Sequence, residues 1–213
     1  MINISNFSKK LRIKRFKIFF NKIIDLPKPI KILDLGGTYM FWEDVNFISK
    51  LSDEFNIKVT LLNLTKENVQ HESFSSVKGD ATDLSMFSDN EFDIIFSNSL
   101  IEHLYPFSNQ EKMAKEAMRV GNKYFIQTPN RYFPIEPHYF FPFFQFLPYG
   151  LKKLLMMKTT LIEGVHHDEK SVWRAHNAIR LLNKKEFKKL FNDGKIFKEN
   201  LFGLTKSYMI TNL

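Results

Sequence analysis

Apolar and polar residues follow two rhythms along this chain. Near the start, Ile13, Phe16, Phe20, Ile23 and Ile24 recur at helical spacing with lysines and arginines between them, which predicts an amphipathic helix over residues 8–24. Leu26-Pro-Lys-Pro29 breaks it. Residues 30–35 then form a short apolar run that ends in Gly36-Gly37, the pattern of a buried strand. A helical stretch over about 42–55 leads to a second strand at 58–64, and 74–78 and 92–97 read as a third and a fourth. Residues 109–120 have helical periodicity with Gly121 as a stop, and 123–128, closed by Pro129, read as a fifth strand. A helix over 184–192 precedes strands at 196–202 and 206–211, and Gly203 between them predicts a tight antiparallel return. Strands alternating with helices predict an α/β fold, a mostly parallel sheet with helices on both faces. Residues 130–180 leave that rhythm. Pro134, Pro137, Pro142 and Pro148, dense aromatics and most of the histidines fall there, and the segment reads as a helical insert or lid.

Composition narrows the chemistry. The 213 residues suit a single domain, 1–213, with 1–25 as its basic N-terminal helix and 130–180 as its insert. With no cysteine there is no disulfide framework, no thiolate metal site and no thiol nucleophile. No apolar run approaches the ~20 residues of a membrane span, and the N-terminus lacks a signal core, so the expected location is cytoplasmic. The net charge of +8 admits nucleic acid, an anionic membrane surface or a phosphorylated substrate as partner. Lys9, Lys10, Arg12, Lys14, Arg15, Lys17 and Lys22 supply much of it, on the first helix. A basic amphipathic helix can lie on a membrane through residues 8–24, but the reading preferred here is a helix packed on its own domain, with lysines along its wet side.

Four short motifs carry the chemistry. Ile32-Leu-Asp-Leu-Gly-Gly-Thr38 runs a strand into paired glycines, at the place where open α/β sheets bind ligands and a missing Cβ lets backbone approach them. Asn63 ends the second strand, where nucleotide binders usually place an acid for the ribose diol; its amide can still hydrogen-bond a diol. In Gly79-Asp80-Ala81 a carboxylate can accept the exocyclic amine of adenine while a backbone amide serves the ring. Finally, strand four ends in Ser97-Asn98-Ser99 beside Glu102-His103. Ser99 and Glu102 also fit a capping box, so that motif has a helix-starting reading too.

In this order and spacing the four motifs resemble those of the class I S-adenosylmethionine-dependent methyltransferases, over about residues 30–130, and the closing hairpin extends the likeness to the end. Leu33-Asp-Leu-Gly-Gly-Thr-Tyr-Met-Phe-Trp42, Thr60-Leu-Leu-Asn-Leu64, Thr128-Pro-Asn-Arg-Tyr-Phe-Pro-Ile-Glu-Pro-His138 and Gly203-Leu-Thr-Lys-Ser207 are similar to a bacterial subgroup related to the small type 11 methyltransferases. The resemblance implies a Rossmann-like sheet of seven strands, mostly parallel, with an antiparallel C-terminal hairpin. It implies S-adenosylmethionine as cofactor: Asp34, Gly36 and Gly37 around its methionine end, Asn63 at the ribose, Asp80 and Ala81 at adenine, and Ser97 with Asn98 near the sulfonium. Thr38-Tyr39 in place of a third glycine and Asn63 in place of an acid depart from the broad family.

The implied reaction is methyl transfer to an oxygen of a small-molecule or glycan-precursor (sugar-linked) acceptor, and an alcohol acceptor benefits from a general base. His103 and His138 are the catalytic candidates, each following the carboxyl end of a core strand, with Glu102 to orient either. Tyr132, Glu136, Tyr139 and Trp173 are candidates for the acceptor pocket. His166-His167-Asp168 with His176 has no ligand spacing beyond adjacency, and no metal is expected. Two other readings stay open. One is a nicotinamide-dependent oxidoreductase or epimerase, against which the first turn lacks G-x-G-x-x-G; Tyr149-x-x-x-Lys153 carries no weight at its chance frequency. The other is an RNA-directed methyltransferase using the basic N-terminus.

Overall fold

The computed structural model describes residues 4–45, 56–136, 138–139, 141–158 and 168–213. Its elements are α1 (Ile4–Ile23), β1 (Ile30–Leu35), α2 (Tyr39–Asp44), β2 (Ile57–Asn63), β3 (Phe74–Lys78), β4 (Phe92–Asn98), a 3-10 turn (Ile101–His103), α3 (Phe107–Val120), β5 (Gly121–Pro129), a second 3-10 turn (Phe144–Phe146), α4 (Tyr149–Lys158), α5 (Glu169–Asn177), α6 (Lys184–Leu190), β6 (Lys195–Leu201) and β7 (Leu204–Thr211). Seven strands form one sheet in the order β3-β2-β1-β4-β5-β7-β6. The pairs β1–β2, β1–β4 and β2–β3 are parallel, and β6 returns into β7 through Phe202-Gly203, both with positive φ as a two-residue hairpin requires. This is the seven-stranded sheet with a C-terminal hairpin that the resemblance implies. The chain divides into two compact units, one of Met1–Asn98, Met113–Ile126 and Thr211–Leu213, the other of Ser99–Lys112 and Gln127–Ile210.

In the first unit β1 is buried at Ile30, Ile32, Leu33, Asp34 and Leu35, the near-continuous burial of a parallel strand covered on both faces. The helix read from the N-terminal pattern is present, but its inner face is rotated. Phe16, Phe19 and Ile23 are buried, whereas Ile13, Phe20 and Ile24 are half-exposed. The reason is an aromatic cluster: the Phe19 ring lies 4.7 Å from Phe96 and 5.3 Å from Phe125, and Phe16 lies 5.3 Å from Trp42. On the wet side Lys9 and Arg12 pair with Asp44. The helix expected over 42–55 begins earlier, at Tyr39, because Thr38 caps it by accepting the Phe41 N–H; residues 46–55 lie outside those described.

The third helix ends at Val120 with Gly121 just past it, as the periodicity predicts, but Gly121 is not a left-handed cap. It is the first residue of β5, and a Cβ there would meet Ile95 Cγ1 at 2.3 Å. Glycine allows close packing of α3's exit against β4 rather than a left-handed cap.

The second unit has its own small core. Tyr139, Phe144, Met156 and Val172 are buried together, flanked by Phe141, Leu147, Leu155, Ala175 and Ile179. Tyr139 and Phe144 thus pack against Met156 of α4 and Val172 of α5. Asn183 opens α6 with a full capping box to Glu186. Among the described residues, no helix is long and apolar enough to cross a membrane.

Candidate functional site

The order of strands in the first unit sets where a ligand can go. β2 and β3 follow β1 to one side and β4 lies on its other side, so the connection reverses between β1 and β4. A crevice outside the carboxyl ends of the strands opens at such a switch point. The register aligns those ends: Leu35 faces Leu62, Asn63 faces Lys78, and Asp34 faces Phe96. The Gly36 N–H donates to the Leu62 carbonyl at 2.8 Å and the Gly79 N–H to that of Asn63 at 2.9 Å, stitching the exits together. The eight residues assigned to the cofactor therefore lie at the same ends of four neighbouring strands.

Their individual states differ. Asn63 is half-exposed and its Oδ1 accepts the Leu64 N–H, leaving the amide nitrogen directed elsewhere. Asp80 is exposed; Thr82 donates twice to its Oδ1, at 2.8 Å from N and from Oγ1, which fixes the carboxylate while Oδ2 stays clear of both. Ala81 is buried behind it. Ser97 is fully buried with its hydroxyl on the Leu35 carbonyl, so it ties β4 to β1. Asn98 is held by Arg15 of α1, whose Nη1 donates to its Oδ1 at 2.8 Å. Met40, Leu64 and Met86, all near these exits in sequence, are exposed. Uncovered apolar side chains near a half-exposed amide and a fixed carboxylate are a packing and hydrogen-bonding set that fits a nucleoside.

Asp34 is turned inward. It is 1 % exposed, and its Oδ2 accepts the Trp42 indole N–H at 2.8 Å. A Cβ on Gly37 would fall 1.9 Å from that oxygen, so the carboxyl group fills the space a side chain at 37 would need. Burial pushes the Asp34 carboxyl up to about 8; the Trp42 bond opposes this and the negative charge of Glu67 adds to it. Glu67 itself accepts the Tyr39 N–H at 2.8 Å. Trp42, Glu67 and Arg15 were not among the candidate site residues read from sequence. Trp42 was visible only as a large residue eight positions after the acid.

The catalytic candidates lie in the second unit. Ser99 follows β4 with a φ of 61°, which only local bonds make tolerable: its N–H donates to the Gln127 carbonyl and its hydroxyl to Gln127 Oε1. The capping-box reading of Ser99 and Glu102 is thereby overturned. The 3-10 turn has no side-chain cap, because the Ser99 hydroxyl is on β5 and Glu102 is buried, accepting from Thr128 Oγ1 at 3.0 Å. Gln110 holds the turn from beneath, donating to the Ile101 and Arg180 carbonyls.

His138 sits on a bend whose centre is Glu136. That carboxylate accepts the backbone N–H groups of His138 and Tyr139 and meets His138 Nδ1, each at 2.7 Å. The partner of His138 is thus Glu136 rather than Glu102, a correction that the spacing E-x-H inside a proline-bounded turn could have signalled. The His103 ring stands edge-on to that of His138 with centroids 4.9 Å apart. Donor atoms of Glu102, His103 and His138 lie within 4.8 Å of one another, the group among the described residues that could gather a metal ion.

Electrostatics separate the three. Burial raises the Glu102 carboxyl to about 7 against its hydrogen bonds and the charge of His138. The same effect, with the neighbouring His138, holds His103 below its ordinary value. For His138 burial works downward but is outweighed by the Glu136 hydrogen bond and charge, with Glu102 adding to them, and the ring is held above its ordinary value.

Beside this group is a cavity of about 220 Å³ whose wall includes Glu136, Tyr139, Arg131, Lys152, His176 and Arg180. Of the aromatic pocket candidates, Tyr139 is in that wall. Tyr132 is exposed and stacks on Phe146, and Trp173 is exposed; neither lines it. His166 and His167 lie outside the described residues, while Asp168 caps α5 by accepting the Ser171 N–H. Tyr149 packs on His176 and Lys153 pairs with Glu169, so those two residues form no dehydrogenase pair.

Comparison with known proteins agrees with the fold. Residues 46–123 match the sequence profile of the type 11 methyltransferases, described as a methyltransferase domain. No curated protein matches the chain. Among solved structures it is similar to a SAM-dependent methyltransferase from Aquifex aeolicus, at 14% identity over 95% of this chain and 91% of that one with a TM-score of 0.54. It is also similar to one from Archaeoglobus fulgidus, at 13% identity over 95% and 93% with a TM-score of 0.55. A third likeness is to the 1,6-didemethyltoxoflavin-N1-methyltransferase of Burkholderia thailandensis, solved with 1,6-didemethyltoxoflavin and S-adenosylhomocysteine, at 12% identity over 95% and 77% with a TM-score of 0.55. The chain spans 56% of a longer Nostoc punctiforme chain and 53% of the CurJ carbon methyltransferase. At these identities the structural likeness establishes the fold. That fold is the one of the class I methyltransferases, and residues 46–123 carry the likeness to their methyltransferase domain.

Proposed function

We propose that the protein is an S-adenosylmethionine-dependent methyltransferase that methylates a hydroxyl group of a small-molecule or glycan-precursor acceptor in the cytoplasm, and that the whole chain works as one methyltransferase domain. The observation that carries this reading is the Glu136–His138 pair, a ring anchored by a buried carboxylate at 2.7 Å beside a cavity. A base so held suits an acceptor whose proton must be taken as it attacks.

Unit-one residues would hold the cofactor: Asp80 and Ala81 at the adenine, Asn63 at the ribose, Gly36 and Gly37 at the methionine end, and Ser97 with Asn98 at the floor. Asp34 shapes the glycine turn from behind, through Trp42. When bound, S-adenosylmethionine supplies an activated methyl on its sulfonium. The protein then needs to position the acceptor oxygen, exclude water and receive one proton. Glu136 turns His138 so that Nε2 is the ring nitrogen left to receive it, and its charge stabilises the imidazolium that results. His103, kept neutral by its surroundings, adds no repulsion to that cation. Glu102 supports the arrangement from its bond to Thr128.

Calorimetric titration with S-adenosylmethionine, S-adenosylhomocysteine and NAD tests the cofactor part. Binding of the two sulfur nucleotides, weakened at least tenfold by Asp80→Ala, is the expected result; binding of NAD alone would sink it. Once an acceptor is found, His138→Ala should lower turnover about 10²–10⁴-fold with cofactor affinity kept. Turnover that survives the substitution would remove the base.

A further inference from the structure

The cavity beside His138 holds an imbalance of charge that its own residues do not resolve. Three cations are in its wall. Arg180 is engaged: its guanidinium donates to Gln110 and Glu186 and stacks over the Phe107 ring. Lys152 and Arg131 are not paired in this way. Lys152 is half-buried, reaching only the Gln145 carbonyl at 3.3 Å and the face of Phe144. Arg131 is exposed, and no carboxylate pairs with either cation among the described residues. The one acid in the wall, Glu136, already takes two N–H groups and the His138 ring.

The two free cations also feel each other. Burial and the charge of Arg131 both lower Lys152 from its ordinary value, and Glu136 only partly offsets them. Two like charges gathered at the wall of a cavity, on separate elements, are poorly placed for folding alone and well placed for an anion. Salt-paired surface lysines look different: Lys153, the next residue, has Glu169.

We propose that this cavity binds the acceptor through a phosphate ester, with Arg131 and Lys152 on the phosphate and the acceptor's hydroxyl presented to His138. The inference rests on the hydroxyl-acceptor reading above and narrows it to phosphorylated acceptors. Size agrees: about 220 Å³ is below the ~300–1,000 Å³ typical of sites that enclose a drug-sized ligand, and suits a charged head group. Charge agrees as well, since a phosphate monoester carries up to two negative charges for two cations, whereas a carboxylate carries one. The hydrogen bonds that aim His138 come from a wall residue of the same cavity, so occupancy and orientation of the base share Glu136.

The test uses the full chain in phosphate-free buffer and inorganic phosphate as the probe, read by calorimetry and by melting temperature, with acetate in parallel. Phosphate should bind and raise the melting temperature, and acetate should bind at least tenfold more weakly. Lys152→Met and Arg131→Gln should each weaken phosphate binding at least tenfold, and Lys153→Met should leave it unchanged. Acylation of the wild-type Lys152 amine, followed by mass spectrometry, should slow at least threefold when phosphate is added, a readout that needs no variant to fold. Equal binding of acetate, phosphate binding indifferent to both substitutions, or unprotected Lys152 would each overturn the proposal. The same samples titrated with S-adenosylmethionine separate the two readings: intact cofactor binding with no phosphate site removes only this inference, whereas absent cofactor binding removes the methyltransferase reading.

Discussion

Replacing Asp34 by asparagine should abolish one component of the pH dependence of stability. The carboxyl group is buried, faces the Trp42 indole N–H at 2.8 Å and lies within the field of Glu67, and its value rises from 3.8 to about 8. The folded chain therefore keeps a proton that the unfolded chain releases throughout that interval. Stability is fully supported below about 4, falls as pH rises, and has lost the whole contribution above about 8. One proton of linkage amounts to about 1.4 kcal/mol per pH unit. Between 3.8 and pH 7 that is on the order of 4 kcal/mol. For a chain of this size each pH unit corresponds to roughly 3–6 °C of melting temperature.

Asparagine keeps an oxygen for Trp42 and carries no titrating proton, so it isolates this component. The assay is urea or thermal unfolding of wild type and Asp34→Asn from pH 5 to 9. The two curves should diverge as pH rises, the variant being the more stable at pH 7, and should run parallel above about 8.5. Glu67→Gln should shorten the interval, since its charge helps to raise Asp34. Curves that stay parallel from pH 5 to 8 would refute the claim that Asp34 is folded in its neutral form.

Gly37→Ala should destabilise by about 1–3 kcal/mol, because the new methyl falls 1.9 Å from a carboxylate that Trp42 and burial hold in place; pairing it with Asp34→Ala in a double-mutant cycle should recover much of the loss, and additive effects would refute the contact. Phe19→Ala should cost about 3–5 kcal/mol in denaturant unfolding, since its ring is fully buried against Phe96 and Phe125; a neutral result would revive a role for the first helix outside its own domain. Glu136→Gln should move the acidic limb of the rate profile to lower pH. A base must be neutral to act, and Glu136 is what holds His138 above its ordinary value against the pull of burial; an unmoved limb would mean that another group sets it.

Strand positions were readable because parallel strands covered on both faces are nearly continuous apolar runs. β1 and β3 occur where the pattern put them, β2 and β6 begin and end one residue earlier, β4 runs one residue further, and β5 gains two residues at its start and one at its end. β7 starts earlier than its apolar core, at Leu204, because the hairpin pairs exposed residues that hydropathy ignores. Helix faces were harder to read. Period alone could not choose between Phe19 and Phe20, since both lie near the apolar stripe, and the choice was made by the rings of Phe96 and Phe125 from strands far along the chain. Gly121 looked like a stop because glycine after a helix usually is one; only the position of Ile95 shows that the missing Cβ serves packing.

The site divides along the same line. Residues whose place follows from a strand end, such as Asn63, Asp80 and Asn98, could be located from motif order. Partnerships could not, because they join segments with no fixed spacing: Arg15 with Asn98, Trp42 with Asp34, Thr128 with Glu102. Glu102 shows the physical reason. As the neighbour of His103 in sequence it was the natural choice to orient a histidine, but on a 3-10 turn adjacent side chains point about a third of a revolution apart. That turn sends Glu102 inward to Thr128 and directs the His103 ring toward His138. Glu136, by contrast, closes on His138 from two positions away. Backbone geometry, rather than proximity in sequence, decides which acid serves which base. The decisive comparison is therefore Glu136→Gln with Glu102→Gln: the first should shift the acidic limb, and the second should act mainly on stability through the buried bond to Thr128.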